Sequence, residues 1–191
     1  MRTLLAGLAI ACGISAVAFA AGTDAPVAVD DAGARAFFLK AAPVFLSPRC
    51  LNCHPAGERP LQTDVSRPHA MNVKRGPDGR GVTAMKCANC HQTQNTAGRG
   101  TPPGAPNWHL PPPATKMVFE GRTAAQLCAQ FKDPAENGGK SLEQIVAHVS
   151  DDPLVRWGWV PGEGRTLPPL SHKAFAAAIK AWADKGAACP E

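Results

Sequence analysis

The chain contains no tyrosine, and its aromatic residues amount to only 6%. Between His54 and Lys116 large apolar side chains are sparse, too few to close a hydrophobic core on their own. No segment beyond the first twenty residues is apolar enough for a bilayer-crossing helix, which takes about 20 apolar residues. No run alternates apolar and polar residues at a period of two, so no strand is expected. No paired acid and base stand out as catalytic machinery. The basic residues are not interleaved with aromatics, which argues against a nucleic-acid surface.

What the chain has in quantity is proline and glycine, 19 and 18 residues. A polar, turn-rich stretch such as 54–116 is ordinarily disordered. The competing explanation is a bound prosthetic group that supplies the missing apolar surface.

The first twenty residues, MRTLLAGLAIACGISAVAFA, pair a basic Arg2 with an apolar run and end in Ala18-Phe19-Ala20. They read as a signal peptide cleaved after Ala20, leaving 21–191 exported to the periplasm without a membrane anchor. Losing Arg2 takes the formal charge from +5 to +4.

Seven cysteines are present. Cys12 leaves with the leader. Four sit in one word written twice, Cys50-Leu-Asn-Cys53-His54 and Cys87-Ala-Asn-Cys90-His91. Cys128 and Cys189 remain, and in an oxidising compartment they are expected to pair. That bridge closes a loop worth about 4 kcal/mol in the chain-entropy picture.

C-x-x-C-H is the attachment signal for c-type haem. Two intervening residues let each thiol add to one haem vinyl group, and the next histidine supplies the proximal nitrogen. A redox dithiol would need a βαβ neighbourhood, which is absent here. A zinc site could use two C-x-x-C pairs but does not require a histidine directly after both. The repeat therefore calls for two haem c groups, held by Cys50, Cys53, His54 and by Cys87, Cys90, His91.

On these six residues the chain resembles small exported dihaem c-type cytochromes. Its C-terminal block, LCAQFKDPAENGG followed by DPLVRWGWVPGEGR, is also similar to short cytochrome-like proteins, some of them subunits of isoquinoline 1-oxidoreductase-type molybdenum hydroxylases. That resemblance implies a redox partner, such as a periplasmic dehydrogenase or a molybdenum hydroxylase.

The expected fold is all-α, with short helices and long Pro/Gly-rich coil packed around two haems. One domain spans 21–191, with a haem-binding part at about 43–116 and a helical part at about 117–191. A helix is predicted from Asp31 to Ala42, ended by Pro43. Pro55 to Val82 reads as loop, and the second haem word as a short helix starting near Thr83. Gly98 to Pro113 reads as an extended wrap. Thr123 and Ser141 open helices with capping boxes completed by Gln126 and Gln144. Ser171 caps a last helix that turns Phe175, Ala178, Ile179 and Trp182 inward and stops at Gly186.

Each iron still needs a sixth ligand. A second histidine lowers the potential, methionine raises it, and an open position permits chemistry. His69, in the loop between the words, is the first candidate, with His109 and His148 as rivals and Met117 as the non-histidine alternative. His172 reads as a first-turn residue, and Met85 lies too near Cys87 to reach over that haem. Arg59, Arg67, Lys74, Arg75 and Arg80 cluster between the words, suited to pairing haem propionates or steering an acidic partner. Electron carriage between redox partners is the leading expectation. A small peroxidase-like enzyme or a haem sensor with one open iron is the alternative.

Overall fold

The computed structural model describes residues 29–191, so the expected leader lies outside the described residues. Helix accounts for 42% and strand for 5% of the described residues, a mostly-α fold. Among the described residues no helix is long and apolar enough to cross a membrane.

Helix α1, Asp31–Phe45, opens at Asp30, whose carboxylate accepts from the Gly33 N–H at 2.8 Å. It does not stop at Pro43 as expected. A proline inside a helix costs about 3 kcal/mol. Pro43 faces solvent, while Val44 and Phe45 beyond it are buried. Burying those two side chains contributes about 3–6 kcal/mol, which carries the helix through the proline. A short α2, Pro48–Leu51, follows at once and carries the first cysteine of the first word.

Coil then runs to residue 123, interrupted by two small ladders. Strand β1, Leu61–Gln62, pairs with β2, Arg67–Pro68, and β3, Gly81–Val82, pairs with β4, Met85–Lys86, both antiparallel. The expectation of no strand is corrected here. Two-residue ladders are too short to leave a period in the sequence. The second word is also not on a helix from Thr83. Thr83 and Ala84 form the turn of the second hairpin, and Cys87–Asn89 is a single 3₁₀ turn. Gly81 permits this, with φ of 88° in the left-handed region and the Met85 carbonyl where a Cβ would stand.

The C-terminal half is helical. It comprises α3 (Ala124–Lys132), α4 (Pro134–Asn137), α5 (Leu142–Asp151), α6 (Pro153–Trp157) and α7 (His172–Asp184). Both expected capping boxes form, at Thr123 with Gln126 and at Ser141 with Gln144. Helix α7 ends in a Schellman turn. Gly186 has φ of 99°, its N–H donates to the Ala183 carbonyl, and the Ala187 N–H donates to the Trp182 carbonyl.

Helix α7 packs against both α1 and α5, and α3 against α1. The predicted inward face of α7 is buried throughout. Phe38 of α1 sits among Trp182, Phe131 and Phe45, with ring centres 5.1, 6.0 and 6.3 Å apart. A Cys128–Cys189 disulfide joins α3 to the C-terminal tail.

Candidate functional site

The first word grows out of the helical core. Cys50 lies on α2, the Cys53 N–H donates to the Cys50 carbonyl, and the His54 N–H to that of Leu51. Cys50 packs against the core cluster. The His54 imidazole stacks on Phe119 at 3.9 Å between centres and 13° between planes. Its Nδ1 lies 2.7 Å from the Met117 carbonyl. A carbonyl only accepts, so Nδ1 carries the proton and Nε2 keeps a free lone pair. Desolvation pulls the His54 pKa down to about 4, against the opposing carbonyl bond, so the ring is neutral at pH 7.

The second word is built on turns. The Cys90 and His91 N–H groups both donate to the Cys87 carbonyl. Cys87 is buried and Cys90 exposed. The His91 ring stacks on Trp108 at 4.4 Å and 5°, and Trp108 meets Trp157 edge-on at 4.9 Å. His91 Nδ1 lies 2.7 Å from the Pro103 carbonyl, again leaving Nε2 free. Desolvation lowers its pKa as well. The Pro103 carbonyl is brought in because Gly104 packs against the carbonyls of Gln92 and Gln94, where any Cβ would clash.

All four motif cysteines are free thiols. Burial pushes Cys50 up to about 12 and Cys53 up to about 11. The two words are neighbours, since Cys87 is close enough to Cys53 to raise it further. Yet among the described residues no three of His, Cys, Asp or Glu gather as a metal cluster.

The other candidates fall into distinct places. His69 lies beside His91, its ring centre 6.1 Å away at an angle of 64°. His148 projects from α5, with Nδ1 3.5 Å from the Asp152 carboxylate. His109 donates from Nδ1 to the Asn107 carbonyl at 2.6 Å. Met117 belongs to the Nδ1 side of the His54 ring and packs against the core. His172 opens α7, with Nε2 2.9 Å from the Val149 carbonyl.

The basic group also divides. Arg67, Lys74 and Arg80 are exposed. Arg75 is fully buried and serves the fold, donating to the carbonyls of Pro111, Pro55 and Gly57. Arg59 donates through Nε and Nη2 to the His69 carbonyl.

Sequence reasoning missed several supports. Arg49, buried on α2, pairs with Asp64, and Asp64 also accepts from the Thr166 N–H. Phe119, Trp108 and the carbonyls of Met117 and Pro103 carry no sequence signal as partners of a histidine. Around the first word, Arg49 Nε and Asn52 Oδ1 are buried without hydrogen-bond partners, and Arg75 Nε has only the Glu58 carboxylate, 3.6 Å away.

Compared with family models, curated proteins and solved structures, the chain matches none.

Proposed function

We propose that this protein is an exported dihaem c-type cytochrome that carries electrons between redox partners in the periplasm. The observation that carries the reading is the repeated geometry at His54 and His91. Each imidazole is neutral, stacked on an aromatic ring, and fixed by a carbonyl at Nδ1, which leaves Nε2 for iron. Two free thiols precede each ring at the attachment spacing. The unpartnered donor Arg49 Nε also fits a site that receives an anionic group such as a haem propionate.

Haem bound here supplies an iron that alternates between two oxidation states. The chain's part is to hold it. Cys50 and Cys53, then Cys87 and Cys90, anchor the two groups; His54 and His91 give the proximal nitrogen. Met117 and Pro103 keep each ring from rotating. The influence of Cys87 on the Cys53 thiol supports two centres lying side by side, with an electron entering at one and leaving by the other. The exposed Arg67, Lys74 and Arg80 suit an acidic partner surface, such as that of a periplasmic dehydrogenase or molybdenum hydroxylase.

Mass spectrometry of the purified mature chain, with a pyridine haemochrome count, tests this. Two covalent haems are expected, with Cys53→Ala retaining the second. Fewer than two in the wild type overturns the proposal.

A further inference from the structure

Resting on the reading of two attached haems, we propose that His69 is the sixth ligand of the iron at the second word, opposite His91, and that Arg59 is the residue that positions it. A metal–imidazole bond is about 2.0–2.1 Å long. With about 1.1 Å more from Nε2 to the ring centre, two imidazoles on opposite sides of one metal ion stand about 6 Å apart. The centres of His69 and His91 are 6.1 Å apart. The 64° between their planes is no obstacle, because each ring is free to turn about its own metal–nitrogen axis.

Both rings are prepared alike. His91 Nδ1 donates to the Pro103 carbonyl at 2.7 Å and His69 Nδ1 to the Ala70 carbonyl at 2.9 Å. Each is thereby fixed in the tautomer with a free Nε2, the atom a haem iron takes.

His69 is also held in place. Its own N–H donates to the Pro60 carbonyl at 2.8 Å. Its carbonyl accepts twice from Arg59, through Nε at 2.8 Å and through Nη2. Two N–H groups of one guanidinium converging on one carbonyl oxygen restrain it more than a single bond does. It fixes the main chain after β2, just before Met71 and Asn72, which both adopt left-handed φ. Left-handed backbone at two non-glycine residues costs energy, and a fixed His69 gives that turn a reason to persist. Among the described residues His69 is the one histidine whose ring pairs with that of His54 or His91.

The test uses the two-haem protein and the variants His69→Ala, Arg59→Gln and Arg59→Lys. In the wild type, EPR is expected to show a low-spin second centre, and the reduced second centre is expected to bind no carbon monoxide. In His69→Ala, both haems stay covalently attached by mass. One low-spin signal is expected to become high-spin, that centre to bind one carbon monoxide, and added imidazole to restore it. The signal lost must be the one that survives in Cys53→Ala. Arg59→Gln is expected to give a mixed-spin second centre with partial carbon monoxide binding, reversed in part by Arg59→Lys. If His69→Ala leaves both centres low-spin and closed, or alters the first centre instead, the ligand assignment is wrong. An unaltered Arg59→Gln spectrum removes Arg59 from the scheme. Fewer than two covalent haems in the wild type would instead overturn the underlying reading, so the two failures are told apart.

Discussion

The two copies of the same five-residue word sit in unlike surroundings. The first is bolted to helices. It follows α1 directly, Cys50 packs on the core, and buried Arg49 ties it through Asp64 to Thr166 in the C-terminal half. The second hangs in turns, between a two-residue ladder and a proline-rich wrap, with Cys90 exposed. Even so, both histidines end in the same state. Each is stacked on an aromatic ring and bonded at Nδ1 to a carbonyl, from 63 residues away for His54 and 12 for His91. The word brings the reactive atoms. A carbonyl from a separate coil segment orients them, and helix is only one way to deliver it.

The largest test of this contrast is at the core. Trp182 is fully buried against Phe38. Trp182→Ala is expected to cost about 3–5 kcal/mol. In thermal melts of the protein carrying the two proposed haems, the signal of the first should be lost together with helix, and that of the second should be less closely coupled. Equal coupling of both would show that the second word leans on the core as much as the first.

Next is the disulfide, which closes a sequence separation of 61 residues wholly within the helical half. Replacing Cys128 and Cys189 together by serine is expected to cost about 2–4 kcal/mol. Both proposed haems should remain attached, as seen by mass.

A smaller effect belongs to the first word alone. Burial pushes the Asp64 carboxyl up, but the Thr166 hydrogen bonds and the Arg49 and Arg165 charges outweigh it and hold it below its usual range. Its contribution is therefore complete above the unfolded carboxylate pKa of about 3.9 and fades as pH falls through the lower folded value. Arg49→Gln is expected to cost about 2 kcal/mol at pH 7. It should flatten the acid limb of the stability curve, measured by denaturant titration between pH 7 and pH 3. An unchanged acid limb would show that the Arg49–Asp64 pair does not support the first word.

The smallest concerns the second word. Trp108 stacks flat on His91, and such a pair contributes about 0.5–1.5 kcal/mol. Trp108→Ala is expected to lower stability by about 1 kcal/mol and to perturb the optical spectrum of the second haem only. A change at the first haem would mean that the two sites are not separately supported.

Much of the helical half was readable because its signals are local. Ser141 with Gln144, Thr123 with Gln126, the spacing of Phe175 to Trp182, and Gly186 each act within a turn or two of themselves. Pro43 misled because its own neighbourhood says stop, whereas Val44 and Phe45 are held by side chains far along the chain. The ladders at Leu61 and Gly81 were invisible because two residues cannot show a period. Among the candidate ligands, a list of histidines in coil cannot be ranked by spacing, since a proline- and glycine-rich segment of that length can reach several places.

The sequence alone determined the two Cys-x-x-Cys-His words, the subtraction that leaves Cys128 for Cys189, and the apolar face of α7, because each depends on residue type and short-range spacing. The tertiary structure decided which carbonyl fixes each histidine, that Arg75 is buried in the fold rather than exposed on a rim, and that His69 comes to stand beside His91. Those outcomes depend on where a long coil closes, which is set by hydrogen bonds and burial summed over the whole chain rather than by any residue's neighbours.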